Sequence, residues 1–355
     1  VALTNAWLRA ERLRSQLLDG RRRAPLDVVT RLGAVQAQNA TASRWAIGVR
    51  ASGATSADVE HLFESGVAVR SWTMRGTLHV VRADDLHWML SLTSGRQRAS
   101  AAREAVQRGI SEADFDRAAS SIAEHVAEHG PATRIEALEA LERAGIDVGN
   151  ERGYRFLRDA AFRGFVAWGP NRGKQPQLVA LRTDPGIDRD EALGRFITRY
   201  VIGHGPATVR DFAWWSGLTL TDARRAREVA AADVEGVDLD GAEYLVAPGR
   251  AEADIRSRAS GVHLAPAWDE YVLGYGDRAP VLPPVHALKV SPTGNGVFLP
   301  VIVANGRVAG TWRHVVERGV LTAATEPFEA LTASQLRGFE KATVGFGRFL
   351  GTTAS

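Results

Sequence analysis

The pentapeptide His129-Gly130-Pro131-Ala132-Thr133 recurs as His204-Gly205-Pro206-Ala207-Thr208, 75 residues further on, and the surroundings of the two copies decide the fold. A helical apolar pattern precedes each copy: Phe115, Ile122 and Val126 in the first, and Leu193, Phe196, Ile197, Tyr200 and Val201 in the second. Glycine ends that helix, and proline suits the opening turn of the next. A third helical stretch follows in each, Glu151 to Gly164 and Thr219 to Ala232. Two strand-like runs come next: Phe165 to Trp168 with Gln177 to Leu181, and Val234 to Val237 with Tyr244 to Val246. Three short helices and a hairpin make the element order of a winged helix, a helix-turn-helix variant, although a small helical bundle with hairpins gives the same pattern.

Outward from the repeat, the N-terminal region fits a looser third copy. Helices are expected near Leu3 to Leu18, Leu26 to Gln38 and Ala57 to Phe63, then strands at Val67 to Thr73 and Thr77 to Val81 around Met74-Arg75-Gly76. Beyond about Arg256 the texture turns to Pro, Gly and β-branched residues. Asn305-Gly306, between Val297 to Ala304 and Arg307 to Arg313, suits a type I′ hairpin turn, and a closing helix runs from about Ser334 to Phe349. The expected fold class is α+β, with winged helices over 1–110, 111–184 and 185–255 and a β-rich unit over 256–355. A 38.3 kDa chain with 45% hydrophobic and 24% charged residues has the apolar content for such cores.

Composition narrows the chemistry. The 355 residues contain no cysteine, which removes disulfides, thiolate zinc sites, iron–sulfur clusters and a cysteine nucleophile. The nine histidines are scattered without a His-x-x-x-His pair, and no phosphate loop, dinucleotide fingerprint or Gly-x-Ser-x-Gly elbow is present. No metal and no cofactor is expected. No apolar run reaches the length of a membrane span and the N-terminal stretch is amphipathic, so a soluble cytoplasmic protein is expected.

Basic and acidic residues nearly balance, 44 against 41, yet Lys174, Lys289 and Lys341 are the only lysines. Arginine forms fork-shaped hydrogen bonds to phosphates and guanine edges. Residues 151–182 carry seven basic groups against Glu151 and Asp159, a phosphate-binding footprint if not a solvated face, and 66–108 is also arginine-rich. Residues 228–243 hold six acids and no base, so the second hairpin is expected to face away from nucleic acid.

Three passages resemble a known family: Leu32-Gly-Ala-Val-Gln36-Ala37-Gln38; Arg70-Ser-Trp72-Thr-Met-Arg75-Gly76-Thr77-Leu78-His79; and Leu264-Ala-Pro-Ala-Trp268-Asp269-Glu270-Tyr271 with Asn305-Gly306-Arg307-Val308-Ala309-Gly310-Thr311-Trp312-Arg313. Together they resemble the tandem winged-helix DNA glycosylases of the AlkZ/YcaQ type, over essentially the whole chain. The resemblance implies three winged helices in a C-shaped arrangement with a β-rich C-terminal part. It implies hydrolysis of N7-alkylated purines, including azinomycin-type interstrand crosslinks, with abasic sites as product. Its Gln-hydrophobic-Gln motif falls on Gln36 and Gln38, where the YcaQ branch has Asp at the third position. The implied partner is double-stranded DNA carrying such lesions, bound by a monomer close to the nucleoid. Candidate DNA contacts are Arg44, Arg70, Arg75, His79, Arg152, Arg155, Arg172, Lys174 and Arg313.

The residues fit that chemistry. Glycosidic cleavage passes through an oxocarbenium-like state and ordinarily needs an acid to protonate the leaving group. An N7-alkylated purine is already cationic and leaves neutral, so the protein has only to place a water and favour the sugar cation. A glutamine carbonyl can accept a hydrogen bond from that water, weak base though it is. Residues two apart on a helix point about 200° away from each other and could not share one site mid-helix, so the helix should end at this motif. Asn39-Ala40-Thr41-Ala42-Ser43 supplies the break and caps for a following helix. Asp269 is a reserve candidate, as a stabiliser of the cation or a water-orienting group, with a structural ion pair as the alternative. Trp72, Trp268 and Trp312 are core aromatics or wedges near the duplex. Two other readings are a winged-helix transcription regulator without catalysis, and a glycosylase/lyase, which the scarcity of lysine disfavours.

Overall fold

In a computed structural model, residues 3–182, 186–250, 259–294 and 296–354 are described. The chain divides into two compact units, Val1–Val59 with Leu193–Ser355, and Glu60–Ala192. This division cuts across the first expected segment: its first three helices, Asn5–Ser15, Pro25–Leu32 and Ala40–Gly48, belong to the first unit, and its hairpin, Ala68–Trp72 with Leu78–Arg82, to the second.

The two pentapeptides do the same structural job. Thr133 and Thr208 each cap a helix, Arg134–Arg143 and Val209–Ser216. Each hydroxyl accepts a backbone N–H three residues on (Glu136, 3.3 Å; Asp211, 3.1 Å), and the carboxylate there accepts the threonine's own N–H (2.7 and 3.0 Å). The preceding alanines both pair antiparallel with the second strand of their hairpin, Ala132 with Leu178 and Ala207 with Leu245. Helices Glu112–His129, Arg134–Arg143 and Arg152–Phe162 with strands Val166–Arg172 and Gln175–Ala180 thus match Arg189–His204, Val209–Ser216 and Leu220–Val229 with Glu235–Leu239 and Ala242–Val246.

In the second unit one sheet runs Leu78–Arg82, Ala68–Trp72, Val166–Arg172, Gln175–Ala180, Ala132–Thr133, joined across the two hairpins at Arg70 and Trp168. Trp72 is buried there against Tyr154 and Trp168. The longest helix, Leu86–Val106, also lies here; its apolar face stops at Thr93 until Ala105, so hydrophobic periodicity does not announce it.

The β-rich expectation holds in the first unit, where strands run Val262–Ala265, Val301–Ala304, Arg307–Glu317, Val320–Pro327, Thr353–Ala354. Asn305 and Gly306 have φ of 50° and 77°, as a type I′ turn requires. Helix Ala333–Leu350 closes the unit, its Phe346 ring 4.6 Å from Trp45. The Trp45 and Trp312 indoles donate to the carbonyls of Leu264 and Ala265, which settles Trp312 as a core residue.

Two expected boundaries are corrected. The helix expected to reach Gln38 stops at Leu32, because Gly33 takes a φ of 75°. The strand expected from Val297 begins at Val301; Leu299 N–H instead bonds the Val290 carbonyl.

Candidate active site

The Gln36 to Gln38 segment is delivered by a helix that ends early. Gly33 N–H caps the Val29 carbonyl at 3.0 Å, and the chain leaves in extended form through the short strand Val35–Gln36. Asn39 then opens helix Ala40–Gly48, its side chain accepting Ala42 N–H at 2.9 Å. Past Gly33 the segment is no longer helical, so the divergence of about 200° that a helix would impose on the two glutamines does not apply. The exit is pinned from behind. A Cβ on Gly203 would sit 2.4 Å from the Arg31 carbonyl, so helix Arg189–His204 packs directly on this turn, and Arg199 donates to the Thr30 carbonyl. Ala34, Val35 and Ala37 are buried, Gln36 is 9% exposed, and Gln38 stands in solvent.

Gln36 is fixed through its backbone. Its N–H donates to Glu270 Oε1 at 3.1 Å, and Glu270 Oε2 accepts the Trp215 indole N–H at 2.9 Å and lies 3.2 Å from His204 Nε2. Glu270 is 1% exposed. The residue before the pair Asp269-Glu270, Trp268, has a φ of 56°, a conformation that costs a bulky side chain energy and that collects at functional segments. Trp268 is only partly buried, with its indole donating to the Gly296 carbonyl.

Asp269 lies in an ion pair. Both of its oxygens are bound by the Arg50 guanidinium, at 2.7 and 2.8 Å, and both side chains are wholly buried. Oδ1 also accepts Tyr271 N–H, capping helix Glu270–Leu273. Burial alone would lower the Arg50 pKa; the facing Asp269 carboxylate overrides it and raises it. The remaining Arg50 N–H groups bond the carbonyls of Gln16 and Ala46 and the Gln16 side chain. Gln16 in turn donates to the Glu270 carbonyl and to Tyr275 Oη, whose hydroxyl donates to the His204 carbonyl. Burial pushes the Tyr275 phenol up to about 12, so it stays a neutral donor. Gly274 is required here, since a Cβ would lie 2.5 Å from the His204 ring.

The candidate DNA contacts are dispersed. Arg44 is on the helix after Gln38, half-buried, with one N–H on the Ala40 carbonyl. Arg70 and His79 lie on the hairpin of the second unit. His79 is wholly buried, with Nδ1 2.8 Å from Thr73 Oγ1, and so braces the turn. Arg75 is half-buried within that turn at a φ of 55°. The footprint over 151–182 is largely neutralised by carboxylates from elsewhere in its unit. Arg152 faces Asp147 (3.6 Å), Arg155 faces Glu104 (3.2 Å) and Arg172 faces Glu136 (2.6 Å), while Arg163 bonds Glu112, Asp116 and Asp159. Glu136 falls to about 2, chiefly through the Thr133 N–H and then the Arg172 bond. Lys174, exposed at the hairpin tip, has no carboxylate partner among the described residues. Arg313 is exposed on the C-terminal sheet, 3.4 Å from Glu326.

Comparison with known proteins settles the family of the chain. The family described as DNA glycosylase AlkZ-like matches residues 29–349. The chain belongs to this family. The glycosylase is 28% identical to an interstrand DNA cross-link repair glycosylase of Streptomyces sahachiroi, over 98% of its own length and 96% of the relative's. Its fold superposes on that of the S. sahachiroi DNA glycosylase AlkZ with a TM-score of 0.82 at 24% identity, covering all of both chains. The α+β expectation and the family resemblance both stand on these matches. Among the described residues of the glycosylase, no three His, Cys, Asp or Glu side chains gather where they could hold a metal ion, and no helix is long and apolar enough to cross a membrane. Sequence reasoning preferred Asp269 to its neighbour Glu270, whose link to Gln36 spans 234 positions and has no local signal.

Proposed function

We propose that the glycosylase hydrolyses the N-glycosidic bond of N7-alkylated purines in double-stranded DNA, including crosslinked purines, and leaves an intact abasic strand. The observation that carries this reading is the non-helical Gln36 to Gln38 segment, with Gln36 held by its backbone and Gln38 open to solvent. In this reading the amide carbonyls of Gln36 and Gln38 hold the attacking water. The cationic purine needs no acid to leave, which matches a motif without a carboxylate. Asp269 serves as a structural anion, since both its oxygens are committed to Arg50. The crosslink part of the reading is supported by the named activity of the S. sahachiroi relative.

DNA is bound by a monomer, in the cytoplasm at the nucleoid, through three winged-helix units with Arg44, Arg70, Arg75, Arg152, Arg155, Arg172, Lys174 and Arg313 as phosphate contacts. The ion-paired arginines among them exchange a carboxylate for a phosphate when DNA binds. Of the three lysines, Lys289 lies over the Phe328 ring and Lys174 at a hairpin tip, so neither is set up as a Schiff-base nucleophile.

The test is incubation with duplex DNA carrying N7-methylguanine or an N7 crosslink. Strand breaks should appear only after alkali, and borohydride should trap no covalent adduct. A transcription regulator without catalysis would leave the glycosidic bond whole.

A further inference from the structure

Glu270 is a buried carboxylate with no solvent to satisfy it, and each of its oxygens is engaged by the protein. Oε1 accepts the Gln36 N–H at 3.1 Å; Oε2 accepts the Trp215 indole N–H at 2.9 Å and contacts His204 Nε2 at 3.2 Å. His204 is itself fixed, its Nδ1 3.3 Å from the Tyr200 carbonyl and its ring stacked on Tyr200 with centroids 4.8 Å apart. A carboxylate so held cannot turn, and the atom it leaves for Gln36 is fixed in space. The segment it grips is short: the strand Val35–Gln36 is two residues long, and the chain leaves it directly toward the Asn39 cap.

We propose that Glu270 is a positioning residue for the glycosidic hydrolysis, holding the Gln36 backbone, and through it the Gln36 and Gln38 amides, at the place where the water is bound. This rests on the reading of the two glutamines as water holders. Glu270 does not touch substrate in this scheme; it acts through Gln36. A displacement of about 1 Å at a water-holding group costs on the order of 100-fold in rate.

The acceptor count supplies a conservative rescue. In Glu270→Gln the amide oxygen can serve either Gln36 N–H or the Trp215 indole, and its NH2 group confronts the other donor. Removing the indole N–H with Trp215→Phe lifts that conflict. The amide oxygen then accepts from Gln36, and the NH2 donates to His204 Nε2 while Nδ1 donates to the Tyr200 carbonyl.

The experiment measures single-turnover release of N7-methylguanine from duplex DNA, DNA affinity, and hydrogen exchange of the Gln36 amide, with melting curves to show that each variant is folded. Glu270→Ala should lose about 100-fold in rate with DNA affinity within about 2-fold, and its Gln36 amide should exchange at least about 10-fold faster. Glu270→Gln should fall between, and Glu270→Gln with Trp215→Phe should recover about 10-fold over Glu270→Gln alone. A folded Glu270→Ala or Glu270→Gln protein with the wild-type rate, a loss confined to affinity, or no recovery in the double variant would overturn the proposal. A wild-type protein that releases no N7-methylguanine would refute the functional reading instead. The Gln36 amide then decides the positioning alone: faster exchange in the variants upholds it and unchanged exchange sinks it.

Discussion

Replacing Asp269 by Asn separates an anchoring carboxylate from a catalytic one. The change keeps the side chain's shape and removes its charge, leaving the Arg50 guanidinium wholly buried with only neutral acceptors: the amide oxygen kept at position 269, the Gln16 and Ala46 carbonyls and the Gln16 side chain. Breaking a buried ion pair from one side costs about 3–5 kcal/mol, because the surviving charge stays out of water. The unit that contains the pair, residues 1–59 with 193–355, is of a size at which 1 kcal/mol moves the midpoint by about 2–4 °C. The melting temperature of Asp269→Asn should therefore fall by about 6–20 °C. Calorimetry reads this directly, and single-turnover cleavage well below both midpoints should stay within about 3-fold of wild type. Arg50→Met combined with Asp269→Leu removes both charges and should recover most of the loss, since a buried pair exchanged for apolar groups is often neutral. An unchanged midpoint with a rate lowered by more than about 100-fold would refute the anchoring argument and return Asp269 to the chemistry.

Three further outcomes are expected. Gln36→Ala and Gln38→Ala should each lower single-turnover cleavage by about 10- to 1,000-fold with little change in DNA affinity, because neither side chain carries charge for phosphate; Gln38→Asp should keep activity on a simple N7-methylpurine, and wild-type rates in both alanine variants would remove the motif from the mechanism. Lys174→Ala should reduce the slope of log affinity against log salt by about 0.9, and an unchanged slope would take the hairpin tip off the DNA. Burial lowers the His263 pKa to about 4, with the Arg50 charge adding to it. The unfolded imidazole titrates near 6.5, so its contribution to stability is complete above that pH and is lost as the pH falls toward 4, by about 2–3 kcal/mol. Denaturant melts at pH 7.5 and 4.5 should show a smaller difference in His263→Gln than in wild type, and equal differences would exclude this titration.

The helices and hairpins around the pentapeptides were legible because their signals are local. Apolar periodicity and the glycine of each repeat are read along the chain, and Asn305-Gly306 marks its turn. Helix Leu86–Val106 was not legible, since much of its length carries no apolar face, and the overlong helix toward Gln38 shows what Gly33 changes when it takes a positive φ. The basic stretch at 151–182 misleads for a different reason. Counting charges along the chain cannot see Glu104, Glu112, Asp116, Glu136 and Asp147, which the fold brings against those arginines.

The candidate site divides in the same way. The Gln-Ala-Gln motif, the break that follows it and the absence of cysteine chemistry could be read along the chain, because all are properties of neighbouring residues or of composition. That Asp269 is spent on Arg50, 219 positions away, and that Glu270, its neighbour, bonds the backbone of Gln36 emerges only in the folded chain. Adjacent residues at the start of a short helix face different partners, and which carboxylate meets an arginine and which meets a strand depends on the packing of distant elements, which no local pattern encodes.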